Sequence, residues 1–358
     1  MINVGIDVHK ITCVATIKDG RGRKLEQLNF ANDRDGINGF IGHVREEYGR
    51  RGPVRAVCES TANYWIRLHD TLEQHGIDTA LAHPAKTKVI AQAKLKDDKL
   101  DSEMLADLLR SGMIYESFVP NKYYRDLRSM ARTRLGCVRD ATRHKNKIHA
   151  ILAKYDHKPP MQNLFSERGR LWLSRIDLSD TDRMSLDVHV DAIELAARHA
   201  ARIGSKIAGV ASGDDRAGLL MTMPGISYLT AVTLLSEIVD IGRFGTAEKF
   251  AASGGVIPSH RNSASTYRGG GITKQGSVWM RNAIVEAATT TARHDERMRK
   301  IYERIRRRRG AMKARVAVAR HMLEIIWHML TNNEEYRTQN RQLTQRKYKK
   351  MEVAINAS

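Results

Sequence analysis

The sequence predicts an α/β domain built on a mixed sheet, then a long helical segment, then a mainly helical C-terminal part. Three observations predict this. Short apolar runs alternate with helical patterns up to about residue 112. From Tyr123 to Tyr155 apolar residues fall at 127, 131, 138, 141, 148 and 152, close to a heptad with gaps. Beyond residue 214 the apolar segments again carry helical spacing, interrupted by a polar, glycine-rich stretch at 260–271.

In the first part, "INVGIDVHK" (2–10) is a short apolar run ending in a carboxylate, read as a strand. "ITCVATIKDG" (11–20) and "RGRKLEQLNFAN" (21–32) follow as strands, joined by the turn signal "DGRG". "RDGINGFIGHVREEYG" (34–49) places Ile37, Phe40, Ile41 and Val44 at helical spacing. "VRAVCES" (54–60) reads as a buried strand, "NYWIRLHDTLEQHG" (63–76) as a helix stopped by glycine, and "IDTALAHP" (77–84) as a strand. "DDKLDSEMLADLLRSG" (97–112) is a helix with Leu100, Met104, Leu105 and Leu108 on its apolar side. A meander feeding a βαβ unit gives a mixed sheet with helices packed on it, with the first and fourth strands adjacent at its centre.

The second part reads as two long helices, about 123–155 and 181–208, around the Pro159–Pro160 break. A helical hairpin or coiled coil fits this pattern, and so does an ordinary helical linker. In the third part, "LLMTMPGISYLTAVTLLSEI" packs two apolar segments around a Pro-Gly turn. "SVWMRNAIVEAATTTARHDERMRKIYERIRRRRG" resumes helix, and "MKARVAVARHMLEIIWHML" (312–330) is another. The tail from 331 is polar and basic, expected frayed or extended. The domains are thus 1–120, 121–210 and 211–358.

Lys plus Arg number 60 against 40 Asp plus Glu, a formal charge of +20, which points to a polyanionic partner, most simply nucleic acid. No apolar run approaches the ~18 residues of a spanning helix, so no membrane is expected. Cys13, Cys58 and Cys137 are scattered with no CxxC, which fits a reducing cytosol and argues against a disulfide framework or a zinc site.

Four acids stand out by position. Asp7 closes the first strand and Glu59 the fourth; Asp98 and Asp101 lie three apart on one helix face. Asp97 competes with Asp98, since spacing alone does not exclude it. Each acid alone reads as a turn, a cap or a solvated face. Together, at one end of a sheet, they would repel unless cations neutralise them, and hard oxygen ligands favour Mg²⁺ or Mn²⁺. Two such ions about 4 Å apart stabilise the attacking and leaving oxygens of a phosphodiester displacement.

"HRNSASTYRGGG" (260–271) sets Ser263, Ser265 and Thr266 between Arg261 and Arg268. By itself it reads as a flexible polar loop. With a phosphodiester substrate, a serine hydroxyl can attack the phosphate and hold a covalent link while an arginine clamps the oxygens. The run Arg306, Arg307, Arg308 and Arg309, with Lys313 and Arg315 near it, is dense enough to read as phosphate contact.

Taken in order, "GIDVHK", "CES", "DDKLDSEMLA", "MPGIS" and "SGGVIPSHRNSASTYRGGGITKQG" resemble the DEDD transposases of the insertion sequence 110 family, the bridge-RNA-guided recombinases, over residues 1 to about 330. The resemblance implies a RuvC-like RNase H fold whose Mg²⁺ is held by Asp7, Glu59, Asp98 and Asp101. It implies a C-terminal transposase domain whose nucleophile lands on Ser263, with Ser265 the fallback. Donor and target DNA are cut and rejoined through a 5′-phosphoserine link. An element-encoded RNA chooses the sites, and the composite site is drawn from different subunits of a homo-oligomer, a dimer assembling to a tetramer. The expected location is the bacterial cytoplasm, at the nucleoid. Ser227 in "PGIS" departs from the family's common glycine. Two alternatives remain at this point: a RuvC-like junction nuclease using water, and a non-catalytic nucleic-acid-binding protein.

Overall fold

A computed structural model describes residues 1–84, 86–87, 98–263 and 266–357; at 98–99, 260–263 and 266–270 it describes the backbone. Asp97 and Ser265 lie outside the described residues. The chain divides into two compact units, Met1–Val119 and Pro120–Ser358.

The first unit is a five-stranded mixed sheet with helices on both faces. Its strands are β1 (Ile2–Val8), β2 (Thr12–Lys18), β3 (Lys24–Ala31), β4 (Val54–Glu59) and β5 (Asp78–Ala82), in the order β3-β2-β1-β4-β5. The first three form an antiparallel meander, and β4 and β5 run parallel to β1. Strand β1 is buried along its whole length, and period-two alternation divides its residues between the two faces of the sheet. Ile2, Val4, Ile6 and Val8 join Ala56 and Cys58 of β4 in a core shared with helices α1 (Arg34–Tyr48) and α2 (Trp65–Gln74). Val57 of β4 and Ala80 and Ala82 of β5 face the other way, onto Leu105 and Leu109 of helix α3 (Asp98–Arg110). Burial pushes the thiols of Cys13 and Cys58 up to about 12, so neither serves as a thiolate.

The second unit is mainly helical. Helices α4 (Lys122–Lys154) and α6 (Asp180–Ser212) are the two long elements, with the short α5 (Glu167–Leu173) between them in sequence. Ile148, Leu152, Leu164, Leu173 and Leu186 form a small core where these elements meet. Leu127 of α4 and Ile207, Ala208 and Ala211 of α6 enter a larger core with the helices that follow, so segments 121–210 and 211–358 share apolar packing. Those helices are α7 (Asp215–Met221), α8 (Tyr228–Ile238), α9 (Ala247–Ser253), α10 (Val278–His294), α11 (Glu296–Arg309), α12 (Ala311–Asn332) and α13 (Arg341–Asn356). The hairpin of β6 (Pro258–Ser263) and β7 (Thr266–Ile272) lies between α9 and α10 in sequence.

Three sequence expectations change here. The helix over 278–309 is interrupted at Asp295, whose carboxylate caps α11 by accepting from Met298 N at 2.7 Å. The tail is not frayed: Tyr336 and Met351 are buried in the main core, and α13 is a regular helix. Its apolar contacts are few and widely spaced in sequence, which is why a composition reading passed over them. The stretch read as a flexible loop is an antiparallel ladder, because its backbone pairing needs no apolar side chains.

Candidate active site

Helix α3 is seated on the sheet through β1, at a residue without a side chain. A Cβ on Gly5 would lie 2.1 Å from Ser102 O and 2.4 Å from Ala106 N, so only glycine allows this approach. Polar contacts fix the register of the docking. Ser102 Oγ lies 2.8 Å from Thr16 Oγ1, and Gln27 Nε2 donates to Thr16 Oγ1 at 2.9 Å. Lys18, with a side chain only 5% exposed, donates to Asp107 Oδ2 at 2.7 Å and pairs with Glu103 Oε1 at 2.9 Å. Burial opposes the Lys18 charge, but the bonds to Asp107 and Glu103 outweigh it and hold its pKa above the usual lysine value. Lys18 and Lys24 in turn hold Glu103 below the usual carboxylate range.

These contacts give the direction of α3. Ser102 sits level with Gly5 and Thr16, which pair across β1 and β2; Glu103 and Asp107 reach Lys18, which pairs with Asn3. Helix α3 therefore runs antiparallel to β1. Stepping back one turn from Ser102 to Asp98 moves about 6 Å, nearly the advance of about 6.6 Å from Gly5 to Asp7. Asp7 shares its sheet face with Gly5, the face that α3 covers. In the parallel pairing of β1 and β4, Gly5 stands opposite Val57, so Asp7 and Glu59 come level, and Glu59 shares the face of Val57. Positions 7, 59 and 98 thus converge on one end of the α3-covered face, with Asp101 on the next position around the helix.

Asp7 is buried, and His9 Nε2 lies 3.0 Å from its Oδ2. Glu59 and Asp101 are half-buried. Among the described side chains no three His, Cys, Asp or Glu are gathered into a metal-holding group; the Asp98 side chain is outside that set. The donor chemistry is that of a hard cation, all carboxylate oxygen, and a buried Asp7 needs a compensating charge.

In the second unit, Ser263 is the last residue of β6 and pairs with Thr266, Asn262 with Tyr267, Arg261 with Arg268 and His260 with Gly269. Positions 261, 263, 266 and 268 therefore alternate onto one face of the ladder. Its root is fastened by backbone bonds: Thr273 N donates to Ile257 O at 3.0 Å, Lys274 N to Gly255 O at 3.2 Å, and Ser277 N to Ser253 O at 2.9 Å. Gly276 makes this fastening possible, with φ +103° and no room for a Cβ, which would lie 1.9 Å from Ser253 O.

Comparison with known proteins bears on both regions. A family model described as Transposase, of the DEDD type of IS110, matches residues 4–156, and one described as Transposase IS116/IS110/IS902 family matches residues 217–303. The chain belongs to the IS110 family of transposases. It is 27% identical over 286 residues to the transposase of insertion sequence element IS1111A from Coxiella burnetii, covering 77% of each chain. A putative transposase, y4qE, of Sinorhizobium fredii is 24% identical over 290 residues, 80% of this chain and 71% of the relative. The pilin gene-inverting protein of Moraxella bovis is 22% identical over 340 residues, covering 93% and 97%. This transposase therefore has DNA as its substrate, and none of its described helices is long and apolar enough to cross a membrane.

The arginine run of the transposase, Arg306–Arg309, is exposed on the last turn of α11, where cations also suit the helix dipole. Ser227, the departure in "PGIS", is the N-cap of α8: its hydroxyl accepts from Thr230 N at 3.2 Å. The sequence reading missed His9. Its signal was the DxH spacing at a strand end, which puts the imidazole on the face of Asp7 once the strand is extended.

Proposed function

We propose that this transposase cuts and rejoins DNA strands through a 5′-phosphoserine link at Ser263, using divalent cations held by Asp7, Glu59, Asp98 and Asp101. The observation that carries the reading is the level placement of positions 7 and 59 on neighbouring parallel strands, on the face where the Asp98–Asp101 helix docks. The mixed sheet with its helices is compatible with the RuvC-like RNase H fold that the resemblance implies. Mg²⁺ there would supply Lewis-acid stabilisation of the attacking and leaving oxygens.

In this reading the Ser263 hydroxyl attacks the phosphorus and loses its proton. The P–O3′ bond breaks, and the strand leaves with a free 3′-hydroxyl. Attack of a 3′-hydroxyl on the phosphoserine then reforms a phosphodiester and returns the serine. Arg261 and Arg268, across the ladder from each other, clamp the non-bridging oxygens. The Arg306–Arg309 run holds backbone phosphates without reading sequence. Site choice by an element-encoded bridge RNA, a helical linker at 121–210, and carboxylates and serine drawn from different subunits of a homo-oligomer belong to the same proposal.

Trapping tests it. A ³²P-labelled suicide DNA substrate should leave label covalently on the wild-type protein, none on Ser263→Ala, and strongly reduced label on Asp7→Asn and Glu59→Gln. Strand cleavage without bound label in the wild type would point instead to a nuclease using water, and label retained by Ser263→Ala would move the nucleophile to another residue such as Ser265.

A further inference from the structure

A cavity of about 420 Å³ opens between α10 and α12 at the root of the serine hairpin. Ile272, the last residue of β7, lines it, together with Arg281, Asn282, Glu286 and Thr289 of α10 and Arg315 of α12. Its cations are incompletely used. Arg315 Nε is buried with no hydrogen-bond partner among the described residues, and the Arg315 Nη1 contact is to Met312 Sδ at 3.9 Å, a weak acceptor. Arg281 donates Nη1 to Gly254 O at 3.3 Å, which ties the guanidinium to the turn from which the hairpin springs. Among the described residues, Glu286 is the one carboxylate lining the cavity, against two guanidinium groups. It also lines a second cavity beside Arg134, and its charge favours the Arg134 cation.

A buried guanidinium nitrogen left without an acceptor costs free energy that an anion would recover. Two planar guanidinium forks with a neutral amide and a hydroxyl match the oxygens of a phosphodiester. We propose that this cavity seats one backbone phosphate of the DNA strand addressed by the hairpin, held by Arg281 and Arg315 with Asn282 and Thr289 as neutral partners. The phosphate chemistry follows from the cavity; its source in substrate DNA rests on the function proposed above. Five strand steps lead from Pro258 at the hairpin root to Ser263, a span of about 17 Å at strand rise. Along a duplex, at about 3.4 Å per phosphate on one strand, that is at most about five positions from the bond under attack. The site is thereby a second anchor on the strand, one that sets how far the reacting bond stands from the helical body of the unit.

Neutral-phosphate scanning tests this with the full-length protein. Fluorescein-labelled DNA carrying the element end is substituted with a single methylphosphonate at successive positions on both sides of the cleaved bond. In wild type, one position within about five of that bond should weaken binding about tenfold or more. In Arg315→Gln, unmodified DNA should bind about tenfold more weakly, the salt slope should fall by about one, and that methylphosphonate should no longer matter. Arg315→Lys should recover part of the loss, and Thr289→Val, which leaves the charges alone, should lose less than Arg315→Gln while melting like wild type. The proposal is overturned if no position couples to Arg315, if the methylphosphonate penalty persists undiminished in Arg315→Gln, or if the coupling is found with RNA of the same sequence and not with DNA. Binding does not need the serine: coupling that survives in Ser263→Ala, with no covalent link formed in wild type, keeps the phosphate site and rejects the phosphoserine.

Discussion

Replacing Gly5 by alanine probes the contact on which the acid cluster depends. The new Cβ would stand 2.1 Å from Ser102 O and 2.4 Å from Ala106 N, where ordinary contact begins at 3.4 Å. Both opposing atoms are helix backbone, so no flexible side chain can yield. Helix α3 must lift by about 1.3 Å at Ser102, by subtraction of those distances. Overpacking of this kind costs about 1–3 kcal/mol. For a unit of this size, about 4 °C per kcal/mol, the first unit's melting midpoint should fall by roughly 4–12 °C. The lift acts level with Gly5, one turn from Asp98 and two residues along the strand from Asp7, and a misplacement near 1 Å can cost about 100-fold in rate. Covalent trapping or plasmid excision, run well below the lowered midpoint, should therefore drop about 100-fold while DNA binding holds. Wild-type recombination in a folded Gly5→Ala protein would refute the idea that α3 docking sets the carboxylate geometry.

The remaining expectations concern the second unit. Asp295→Ala removes a helix cap and the bonds from Tyr336 Oη at 2.9 Å and from Thr338 Oγ1 at 2.5 Å, so urea unfolding should show a loss of about 2–4 kcal/mol. Burial opposes the Asp295 charge, yet the bonds from Thr338, Met298 N and Tyr336 outweigh it and hold the pKa below the usual aspartate value. This stabilisation is present above the unfolded pKa of about 3.9 and is lost as pH falls through the folded value; acid titration of wild type against Asp295→Asn should show it. Lys347 behaves in the opposite sense. Burial lowers its pKa to about 8, so between pH 8 and about 10.4 the unfolded chain holds more protons, and stability rises with pH. The stability of wild type relative to Lys347→Met should therefore grow across that window, and a flat difference would count against the burial of the ammonium. Gly276→Ala, at φ +103° and facing Ser253 O, should unfasten the hairpin root: faster amide exchange at Thr273, Lys274 and Ser277 is the readout, and unchanged protection would contradict it.

Much of the first unit was legible because its chemistry and its periodicity coincide. Residues 2–8 form one apolar run with a carboxylate near its end, so the strand and the position of Asp7 were both visible in it. The adjacency of β1 and β4 followed from the order of elements and is found in the sheet. That α3 packs on the sheet was expected, but its fastening was not legible: it depends on Gly5 being empty and on Lys18 lying under Glu103 and Asp107, contacts separated by more than eighty residues in sequence. The hairpin was hidden for the converse reason. Its ladder is held by main-chain bonds, and its side chains carry no strand-like alternation that a reader could follow. Tail residues such as Tyr336 and Met351 were passed over because one buried side chain per several turns leaves no periodic trace.

Asp295 ties together segments that the motifs treat separately. It starts the arginine-bearing helix, and Tyr336 and Thr338 hold it there from more than forty positions further on. A gene copy interrupted just before Tyr336 would keep every acid, the whole serine hairpin and all four arginines of the run. It would nevertheless encode a protein in which the first turn of that helix has lost its brace. Counting elements by their intact motifs therefore overstates how many of them can still move.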